Sequence, residues 1–347
     1  MKTEGSTQGN FHNVVSEIGD IGRDWHGNTI TDHAEFNRPY CKKGKSIKQL
    51  EKPEGPKADR AIVVSAGPSL HRLHSLETIK NSDFDGSIIC VDGSYMKALR
   101  AGVIPDYVVS LDPHPTRMVR WYGDPNFEKN SKNDDFFNRQ DLDITFRNNS
   151  ILENQKNIDL VNKYAPKIKL ILATSAPKNV VERAHEAGFD IYWWNPLVDD
   201  PNEPNSLTRK LYGLNPLPCI NTGGQVGSAA WNFTTTRLKI QDIGMVGMDM
   251  GYHIDTPYNM TQTWYELVEH VKGREDDIED YFQKVVFPLN GTESYIDPTY
   301  FWYRRNLLEM MSQVDFTTYN CTESGTLFGP GIECVPLVDY LQGTIHG

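Results

Sequence analysis

The sequence lacks the features that mark a secreted, membrane-spanning or nucleic-acid-binding protein. Its five cysteines are an odd number without a Cys-x-x-Cys pair, which disfavours a disulfide framework or zinc site and favours a reduced, cytoplasmic setting. No apolar run approaches the roughly 20 residues of a membrane-spanning helix, and the polar residues 1–20 lack the apolar centre of a secretory signal. The net charge of −11 disfavours nucleic acid or an anionic membrane as a partner.

What the chain does contain is an alternation of apolar strands with helical stretches that begins at Arg60. The predicted strands are 61–64, 87–92, 105–112, 167–173, 190–194 and 242–248. Buried strands that alternate with helices are typical of a parallel sheet covered on both faces. The sequence therefore predicts an α/β fold, with a Rossmann-like, open, mostly parallel sheet and helices on both faces.

Three parts are predicted along the chain. Residues 1–58 are a polar arm and linker with no sustained apolar period. Residues 59–260 form a Rossmann-type nucleotide-binding domain, in which the Asn- and Asp-rich stretch at about 117–157 is interpreted as an insertion or lid. Residues 261–347 are expected to be a mainly helical C-terminal extension, with helices at 263–284 and 298–313.

The first strand ends in a short glycine-proline motif. Gly67 allows a tight exit, and Pro68 suits the first position of a helix because its missing N–H is not needed there. The N–H groups from Ser69 onwards, over residues 69–71, would then be unpaired and would favour an anion such as phosphate. An ordinary β–turn–α connection explains the same residues, since the motif is neither a P-loop nor a dinucleotide fingerprint.

The strand ends as a group point to one ligand crevice, because ligands of open parallel sheets bind at the carboxyl ends of the strands. The small polar, acidic and aromatic residues at these ends are Gly67, Pro68, Ser69, Asp92, Asp112, Thr174, Ser175, Trp193, Trp194, Asn195 and Asp249. Asp92 and Asp112 would bind magnesium or ribose hydroxyls, although capping of a turn explains them equally well. Trp193 and Trp194 either stack on a ring or fill the core, and alternation should send them to opposite faces.

Two further stretches are candidates for binding and proton transfer. Thr222-Gly223-Gly224 opens another predicted helix and forms either a second anion cradle or a plain tight turn. Asp249 lies between close glycines and is one candidate for moving a proton. The histidine candidates are His71, His114 and His253, of which His253, four residues after Asp249, is the best placed. A Ser-His-Asp hydrolase is not supported, because the sequence has no Gly-x-Ser-x-Gly elbow.

Five motifs, in order, resemble the MptE-like domain. They are Ser65-Ala-Gly-Pro-Ser-Leu70, Val91-Asp92, Pro105-Asp106 with Val109-Ser-Leu-Asp-Pro113, Thr222-Gly-Gly-Gln-Val-Gly227 and Val246-Gly-Met-Asp-Met250. This domain occurs in archaeal hydroxymethyl-dihydropterin pyrophosphokinases and in motility-associated factors, the Maf proteins. Ser110-Leu-Asp112-Pro113, in place of Asp-Leu-Asp-Gly, and Asn320-Cys-Thr-Glu-Ser-Gly325 are similar to the Maf branch.

The resemblance implies a nucleotide-dependent transferase, of which a Maf-like glycosyltransferase is the favoured form. Such an enzyme would move a nonulosonic, sialic-acid-like sugar from a CMP-sugar to a hydroxyl of a protein, glycan or lipid, with no tightly bound cofactor. The resemblance assigns the nucleotide to Gly67, Pro68, Ser69, Asp92, Asp112, Thr222, Gly223 and Gly224. It assigns catalysis to Asp249 and His253, and substrate contacts to Tyr252, Asn320, Thr322 and Glu323.

Two other functions stay open at this point. The first is an MptE-like pyrophosphokinase that transfers pyrophosphate from ATP to a hydroxymethyl-dihydropterin, with Mg2+ held by Asp112. The second is a nucleotide-binding module without catalysis. Whether the protein forms a homo-oligomer is also open.

Overall fold

The computed structural model describes residues 4–132, 152–264, 267–268 and 275–346. The strands in these residues are β1 (Lys45–Ser46), β2 (Arg60–Val64), β3 (Ser87–Val91), β4 (Tyr107–Ser110), β5 (Lys169–Ala173), β6 (Asp190–Leu197), β7 (Cys219–Asn221), β8 (Asp242–Val246), β9 (Tyr252–His253), β10 (Gln283–Val286), β11 (Glu293–Ile296), β12 (Thr318–Asn320) and β13 (Ile332–Cys334).

The α-helices are α1 (Glu4–Lys43), α2 (Pro56–Asp59), α3 (Ser69–Arg72), α4 (Ser75–Lys80), α5 (Asp92–Ala101), α6 (Pro115–Trp121), α7 (Phe127–Ser131), α8 (Asn154–Tyr164), α9 (Lys178–Ala187), α10 (Leu207–Leu214), α11 (Val226–Phe233), α12 (Pro298–Met311) and α13 (Leu337–Gln342). No helix within the described residues is long and apolar enough to cross a bilayer.

The main sheet has the strand order β1-β6-β5-β4-β3-β2-β8-β12-β13, and β7 pairs with the end of β6. All of these strand pairs are parallel. Helices cover both faces because successive strand residues point in opposite directions. Ile62 belongs to the buried cluster that contains Tyr95 of α5 on one face, whereas Val63 belongs to the cluster that contains Trp231 of α11 on the other. The predicted α/β, Rossmann-like parallel fold is confirmed.

The two adjacent tryptophans of β6 fill the core. Trp193 and Trp194 are both fully buried, and they belong to the clusters on opposite faces of the sheet, as strand alternation predicts. Neither side chain is therefore available to stack on a ligand.

The N-terminal stretch predicted as a polar arm contains the long helix α1. The sequence of α1 is mostly polar, so its few apolar contacts with the rest of the protein are not evident from the pattern. One of these contacts is made by Phe11, which packs edge-on against Phe301 of α12. At the other end of α1, Asn37 is fully buried against the residues that follow β5.

The C-terminal part is more mixed than the sequence indicates. The predicted helix at 298–313 is observed as α12. Within the predicted helix at 263–284, residues 265–266 and 269–274 lie outside the described residues, and residues 264 and 267–268 are helical. Its last part is instead a 3-10 helix at Glu275–Tyr281 followed by the start of β10. β10, β11 and β9 form a small antiparallel sheet. β12 and β13 extend the main sheet beyond β8, so residues 261–347 contribute to both sheets. The division into domains stays a prediction.

The stretch interpreted as an insertion, 117–157, is described only at its two ends. Those ends contribute most of α6, all of α7 and the start of α8. The strand predicted within it, at 142–146, lies outside the described residues.

Candidate functional site

Two of the predicted motifs meet where β2 and β8 end side by side. The strands pair in register, with Val64 opposite Val246. Ser65 N–H donates to the Val246 carbonyl, and Gly67 N–H donates to the Gly247 carbonyl, each with an N-to-O distance of 2.9 Å. Gly247 adopts a positive φ of 66°, which is favourable for glycine and turns the chain sharply after β8. The two strand exits are thus fixed to each other at the carboxyl edge of the sheet.

Asp249 lies at the centre of this junction and is hydrogen-bonded to the β2 exit. Ser69 N–H donates to Asp249 Oδ1 (3.2 Å), and Ser69 Oγ–H donates to Asp249 Oδ2 (2.7 Å). Ser324 Oγ–H donates to Asp249 Oδ1 over 3.4 Å. Asp249 is buried, and this burial raises the pKa of its carboxyl above the ordinary value, while the bonds from Ser69 and Ser324 oppose the rise. The result is a buried carboxylate held by two hydroxyls.

The expectation of unpaired N–H groups at residues 69–71 is wrong. Ser69 N–H is taken by Asp249, Leu70 N–H donates to the Gly67 carbonyl (3.1 Å), and His71 N–H donates to the Pro68 carbonyl (3.2 Å). Pro68 occupies the N-cap position, and α3 begins at Ser69 and lasts only four residues. An anion does sit at this helix start, but it is the chain's own carboxylate.

The Thr222-Gly223-Gly224 loop is a turn whose N–H groups are also used internally. Gly223 N–H donates to Asn221 Oδ1 (3.0 Å), and Gly224 N–H donates to Thr222 Oγ1 (3.2 Å). Both glycines have positive φ, 55° and 92°. The ring of Trp302 lies directly where a Gly224 side chain would be. Among the two readings of this loop, these contacts favour the tight turn.

The motif at 222–227 contacts the exits of β2 and β8 through Met248. Its sulfur accepts hydrogen bonds from Ser65 Oγ (3.6 Å) and from Gln225 Nε2 (3.7 Å). Gly227 allows α11 to come this close, because a Cβ there would lie 2.8 Å from Ser65 Oγ. The exits of β2 and β8 and the start of α11 therefore converge at one place.

The two aspartates that follow β3 and β4 make hydrogen bonds to the backbone. Asp92 is buried; its Oδ1 accepts Gly93 N–H (2.8 Å), and its Oδ2 accepts Leu111 N–H (3.3 Å), which ties the ends of β3 and β4 together. Asp112 Oδ1 accepts His114 N–H over 2.8 Å. In the described part of the chain, no group of three or more His, Cys, Asp or Glu side chains is arranged to hold a metal ion. A magnesium ion here would rely on Asp112 and on substrate phosphates.

The polar stretch after β12 folds back onto the same junction. Asn320 Nδ2 donates to the Leu327 carbonyl (2.6 Å) and its Oδ1 accepts Thr322 N–H (2.9 Å), which shapes the loop. Thr322 Oγ1 accepts Met248 N–H (3.2 Å), and Thr326 N–H donates to the Asp249 carbonyl (2.8 Å). This stretch therefore forms one wall around Asp249.

The side chain of Glu323 binds the start of the neighbouring helix α13. Its Oε1 accepts the Leu337 N–H at the start of α13 over 3.0 Å. Its backbone has a positive φ of 57° and its carbonyl accepts Asn290 Nδ2–H (2.8 Å). The carboxylate predicted to contact substrate thus makes a hydrogen bond within the fold.

Tyr252 and His253 lie beyond the junction, on β9. Tyr252 is buried and its hydroxyl donates to Asp297 Oδ2 (3.1 Å). His253 Nδ1 lies 3.2 Å from Asp255 Oδ2, on the turn that follows. Within the described residues, the hydrogen bonds recorded for these two side chains do not reach Asp249, whose side-chain partners are Ser69 and Ser324.

Asp297 is a residue that the sequence analysis missed. It is fully buried, accepts Tyr300 N–H at the start of α12 (2.8 Å), and accepts the hydroxyl hydrogens of Tyr252 and Thr263. Burial raises the pKa of its carboxyl. The sequence does carry an indication of this role, because an aspartate directly before a proline, here Pro298, is typical of a helix N-cap. By capping α12, Asp297 helps to place the helix that packs on the Gly223–Gly224 turn.

Comparison with known proteins supports the resemblance. Residues 34–130 match a protein-family model described as 6-hydroxymethylpterin diphosphokinase MptE-like. The matched residues contain the first three of the five motifs; the motifs at 222–227 and 246–250 lie outside them. No curated protein matches the chain.

Among solved structures, the chain is similar to the Maf glycosyltransferase from Magnetospirillum magneticum AMB-1. The TM-score is 0.54 at 13% sequence identity, over 91% of this chain and 41% of that one. The likeness shows a shared fold, and the chain spans less than half the length of that structure. The family description names an enzyme that transfers a group.

Proposed function

We propose that this protein is a nucleotide-dependent glycosyltransferase that moves a nonulosonic sugar from a CMP-sugar to a hydroxyl acceptor. The observation that carries the proposal is Asp249, a buried carboxylate with a raised pKa at the junction of three motifs. Perturbed carboxylates of this kind mark functional sites. The Maf-like motifs Ser110-Leu-Asp112-Pro113 and Asn320-Cys-Thr-Glu-Ser-Gly325 favour sugar transfer over pyrophosphate transfer.

The proposed reaction is a direct displacement at the anomeric carbon. The acceptor oxygen forms the new bond, and the bond between the anomeric carbon and the phosphate oxygen breaks, so that CMP leaves with the electron pair. Asp249 takes the proton of the acceptor hydroxyl. A carboxylate suits this step because its raised pKa brings it closer to the working pH. His253 is the second candidate for this proton.

The hydroxyls of Ser69 and Ser324, which donate to Asp249, would orient its carboxylate. Ser69 binds Oδ2 and, through its N–H, Oδ1, so one residue fixes both oxygens. Since Ser69, Gly223 and Gly224 already donate within the chain, we assign the nucleotide to other contacts. Asp112 and Asp92, at the neighbouring strand ends, would accept the ribose hydroxyls.

Calorimetric titration with CMP and with CMP-nonulosonates tests the donor. We expect CMP to bind, and the nucleotide-sugar to bind and to be consumed when an acceptor is added. The Asp249→Asn variant should still bind the donor but should lose transfer. Absence of binding by every cytidine nucleotide would refute the proposal. Mass spectrometry of ligands that copurify with the protein gives an independent answer, since cytidine, adenosine and pterin differ in mass.

Pyrophosphate transfer from ATP to a pterin alcohol is the second candidate, favoured by the description of the family that matches residues 34–130. It predicts magnesium-dependent release of AMP, with Asp112 as the metal ligand. AMP release that is lost in Asp112→Asn would establish this alternative. Ligand binding without turnover of either donor would instead indicate a binding module.

A further inference from the structure

A histidine of the N-terminal helix α1 lies at the exit of β5. His33 is half-buried, and its Nδ1 lies 2.8 Å from the carbonyl oxygen of Ser175, two residues after the strand. Because a carbonyl oxygen can only accept a hydrogen bond, Nδ1 carries the hydrogen. The other ring nitrogen, Nε2, makes no hydrogen bond to any residue that the structure describes. The bond to the backbone therefore fixes the tautomer of the ring and leaves Nε2 for a ligand.

His33 is connected to the exits of β3 and β4 through the backbone of Leu111. Ser175 Oγ–H donates to the Leu111 carbonyl (2.7 Å), and Leu111 N–H donates to Asp92 Oδ2 (3.3 Å). Asp112, which follows Leu111 directly, is one of the proposed ribose contacts. His33 thus lies beside the strand ends to which the nucleoside is assigned, at the edge where ligands of open parallel sheets bind.

A closed ring of buried hydrogen bonds holds this part of α1 in place. Asn37 Nδ2 donates to the Thr174 carbonyl (2.9 Å), and Thr174 Oγ1–H donates to Asn195 Oδ1 (2.7 Å). Asn195 Nδ2 donates to the Asn215 carbonyl (2.7 Å), and Asn215 Nδ2 donates back to α1, at the Ala34 carbonyl (2.8 Å). Satisfied polar networks of this kind specify one arrangement. The network therefore fixes the helix directly beside the histidine.

The group that suits the ring of His33 is a hydroxyl. A neutral imidazole accepts a hydrogen bond at its second nitrogen, whereas a charged imidazole donates one there. A hydroxyl can donate and accept, so it binds the ring in either state. An ionised phosphate can only accept and would require the charged ring. Ribose offers two neighbouring hydroxyls, one of which can bind Asp112 and the other His33.

We propose that His33 binds a ribose hydroxyl of the nucleotide through Nε2 and thereby selects ribonucleotides over deoxyribonucleotides. The proposal rests on the proposed function, since it requires a nucleotide at this edge of the sheet. It applies to a cytidine donor and to an adenosine donor alike, because both carry the same ribose.

Calorimetric titration of the full chain with CMP and with 2′,3′-dideoxycytidine monophosphate tests the proposal. Wild-type protein should bind CMP more tightly. His33→Asn keeps a side-chain N–H for the Ser175 carbonyl but does not reach the position of Nε2. It should weaken CMP binding about fivefold to tenfold, as expected for one lost hydrogen bond, and leave binding of the dideoxy nucleotide unchanged. Its midpoint of urea unfolding should equal that of the wild type.

Asn28→Ala is the matched control, because Asn28 is an exposed polar residue of the same helix. It should bind both nucleotides like the wild type. Unchanged CMP affinity in His33→Asn would overturn the proposal and leave His33 only its contact with Ser175. Equal weakening for CMP and the dideoxy nucleotide would also overturn it, since the effect would then not involve a ribose hydroxyl.

The same titrations separate this proposal from the proposed function. Binding of AMP in place of CMP would refute the cytidine donor; the comparison then uses AMP and its 2′,3′-dideoxy form, with the same selective loss expected in His33→Asn. Binding of CMP without an effect of His33→Asn would refute the role of His33 alone. Binding of neither nucleotide would refute both.

Discussion

Ser69 binds both carboxylate oxygens of Asp249, through its N–H and its hydroxyl, although 180 residues separate the two in the chain. The contact forms because β2 and β8 are adjacent parallel strands whose exits leave the sheet together. It places an anion at the start of α3, where the sequence predicts one, and the anion comes from the protein itself. The bond between these two residues therefore connects the fold to the proposed chemistry.

Replacing Asp249 with asparagine should abolish activity and stabilise the fold. Loss of a general base lowers the rate about 10²–10⁴-fold. The raised pKa means that ionised Asp249 destabilises the folded state at neutral pH, and asparagine removes that cost while keeping an oxygen for Ser69 N–H. Urea unfolding at pH 7 should show a higher midpoint for Asp249→Asn.

The pH dependence gives the check on this first prediction. Below the ordinary aspartate pKa, the carboxyl is neutral in both folded and unfolded chains, so the gain in stability should vanish there. It should grow as the pH rises from that value through the pKa of the folded state. A gain that is the same at pH 3 and pH 7 would contradict the burial argument.

Removing the hydroxyl of Ser69 should move the acidic limb of the pH–rate profile to higher pH. Burial raises the pKa of Asp249, and among the hydrogen bonds that oppose this rise, the one from the Ser69 hydroxyl lowers the pKa most. Ser69→Ala therefore raises that pKa further, and a more alkaline solution is needed to ionise the base. Ser324→Ala is the matched comparison; its bond is longer, 3.4 Å against 2.7 Å, so its shift should be smaller. Equal profiles for wild type and Ser69→Ala would exclude Asp249 as the base.

The sequence predicts the strands of the sheet well, because each strand is marked by a short run of consecutive residues. Runs such as 61–64 and 243–248 contain only apolar residues and glycine, which is typical of strands buried on both faces, and small or polar residues mark their exits. The same pattern locates Ser69 and Asp249 at the correct edge of the sheet. Pairing them requires the strand order, which places β8 next to β2 and is not readable from a single sequence.

What the sequence does not predict is set by long-range polar contacts. The unpaired N–H groups expected after Pro68 depend on the absence of a partner, and Asp249 supplies one. The role of Asn37 depends on carbonyl groups more than 130 residues away, with separations of 137 and 139. Such contacts leave no periodic signal, so a polar helix such as α1 resembles an irregular arm.

A methyl group at Gly67 should loosen the junction. A Cβ there would contact the Asp249 carboxylate and would lie 2.5 Å from the Gly247 carbonyl oxygen. Gly67→Ala is expected to destabilise the protein by about 1–3 kcal/mol, the usual range for overpacking. Gly213→Ala is the control, because nothing lies within 4 Å of that position in α10, and alanine there should stabilise by about 0.5–1 kcal/mol. Urea unfolding measures both; a neutral Gly67→Ala would contradict the close approach.

The contact between Gly224 and Trp302 can be measured by a double-mutant cycle. Gly224→Ala adds a methyl group that meets the Trp302 ring at a backbone φ of 92°. Trp302→Ala should remove the nearest of the two ring contacts, while the Tyr303 ring, 2.7 Å from the same Cβ, and the backbone strain stay, which gives a coupling of about 0.5–3 kcal/mol. Gly291→Ala isolates the strain alone, since its φ is 75° and nothing lies within 4 Å. Additive effects of the two substitutions would show that the helix α12 does not rest on this turn.

Docking of α1 should depend on one buried side chain. Asn37 Nδ2 donates to the carbonyls of Thr174 (2.9 Å) and Ala176 (2.8 Å), directly after β5. Asn37→Ala leaves these acceptors without that donor, at a cost of about 1–3 kcal/mol in unfolding free energy. It should also speed tryptic cleavage at the exposed Lys42, because α1 is released more often. Arg38→Ala, an exposed neighbour on the same helix, should change neither measurement. If the two variants behave alike, α1 is held by its apolar contacts, and the polar link to the carboxyl edge of the sheet contributes little.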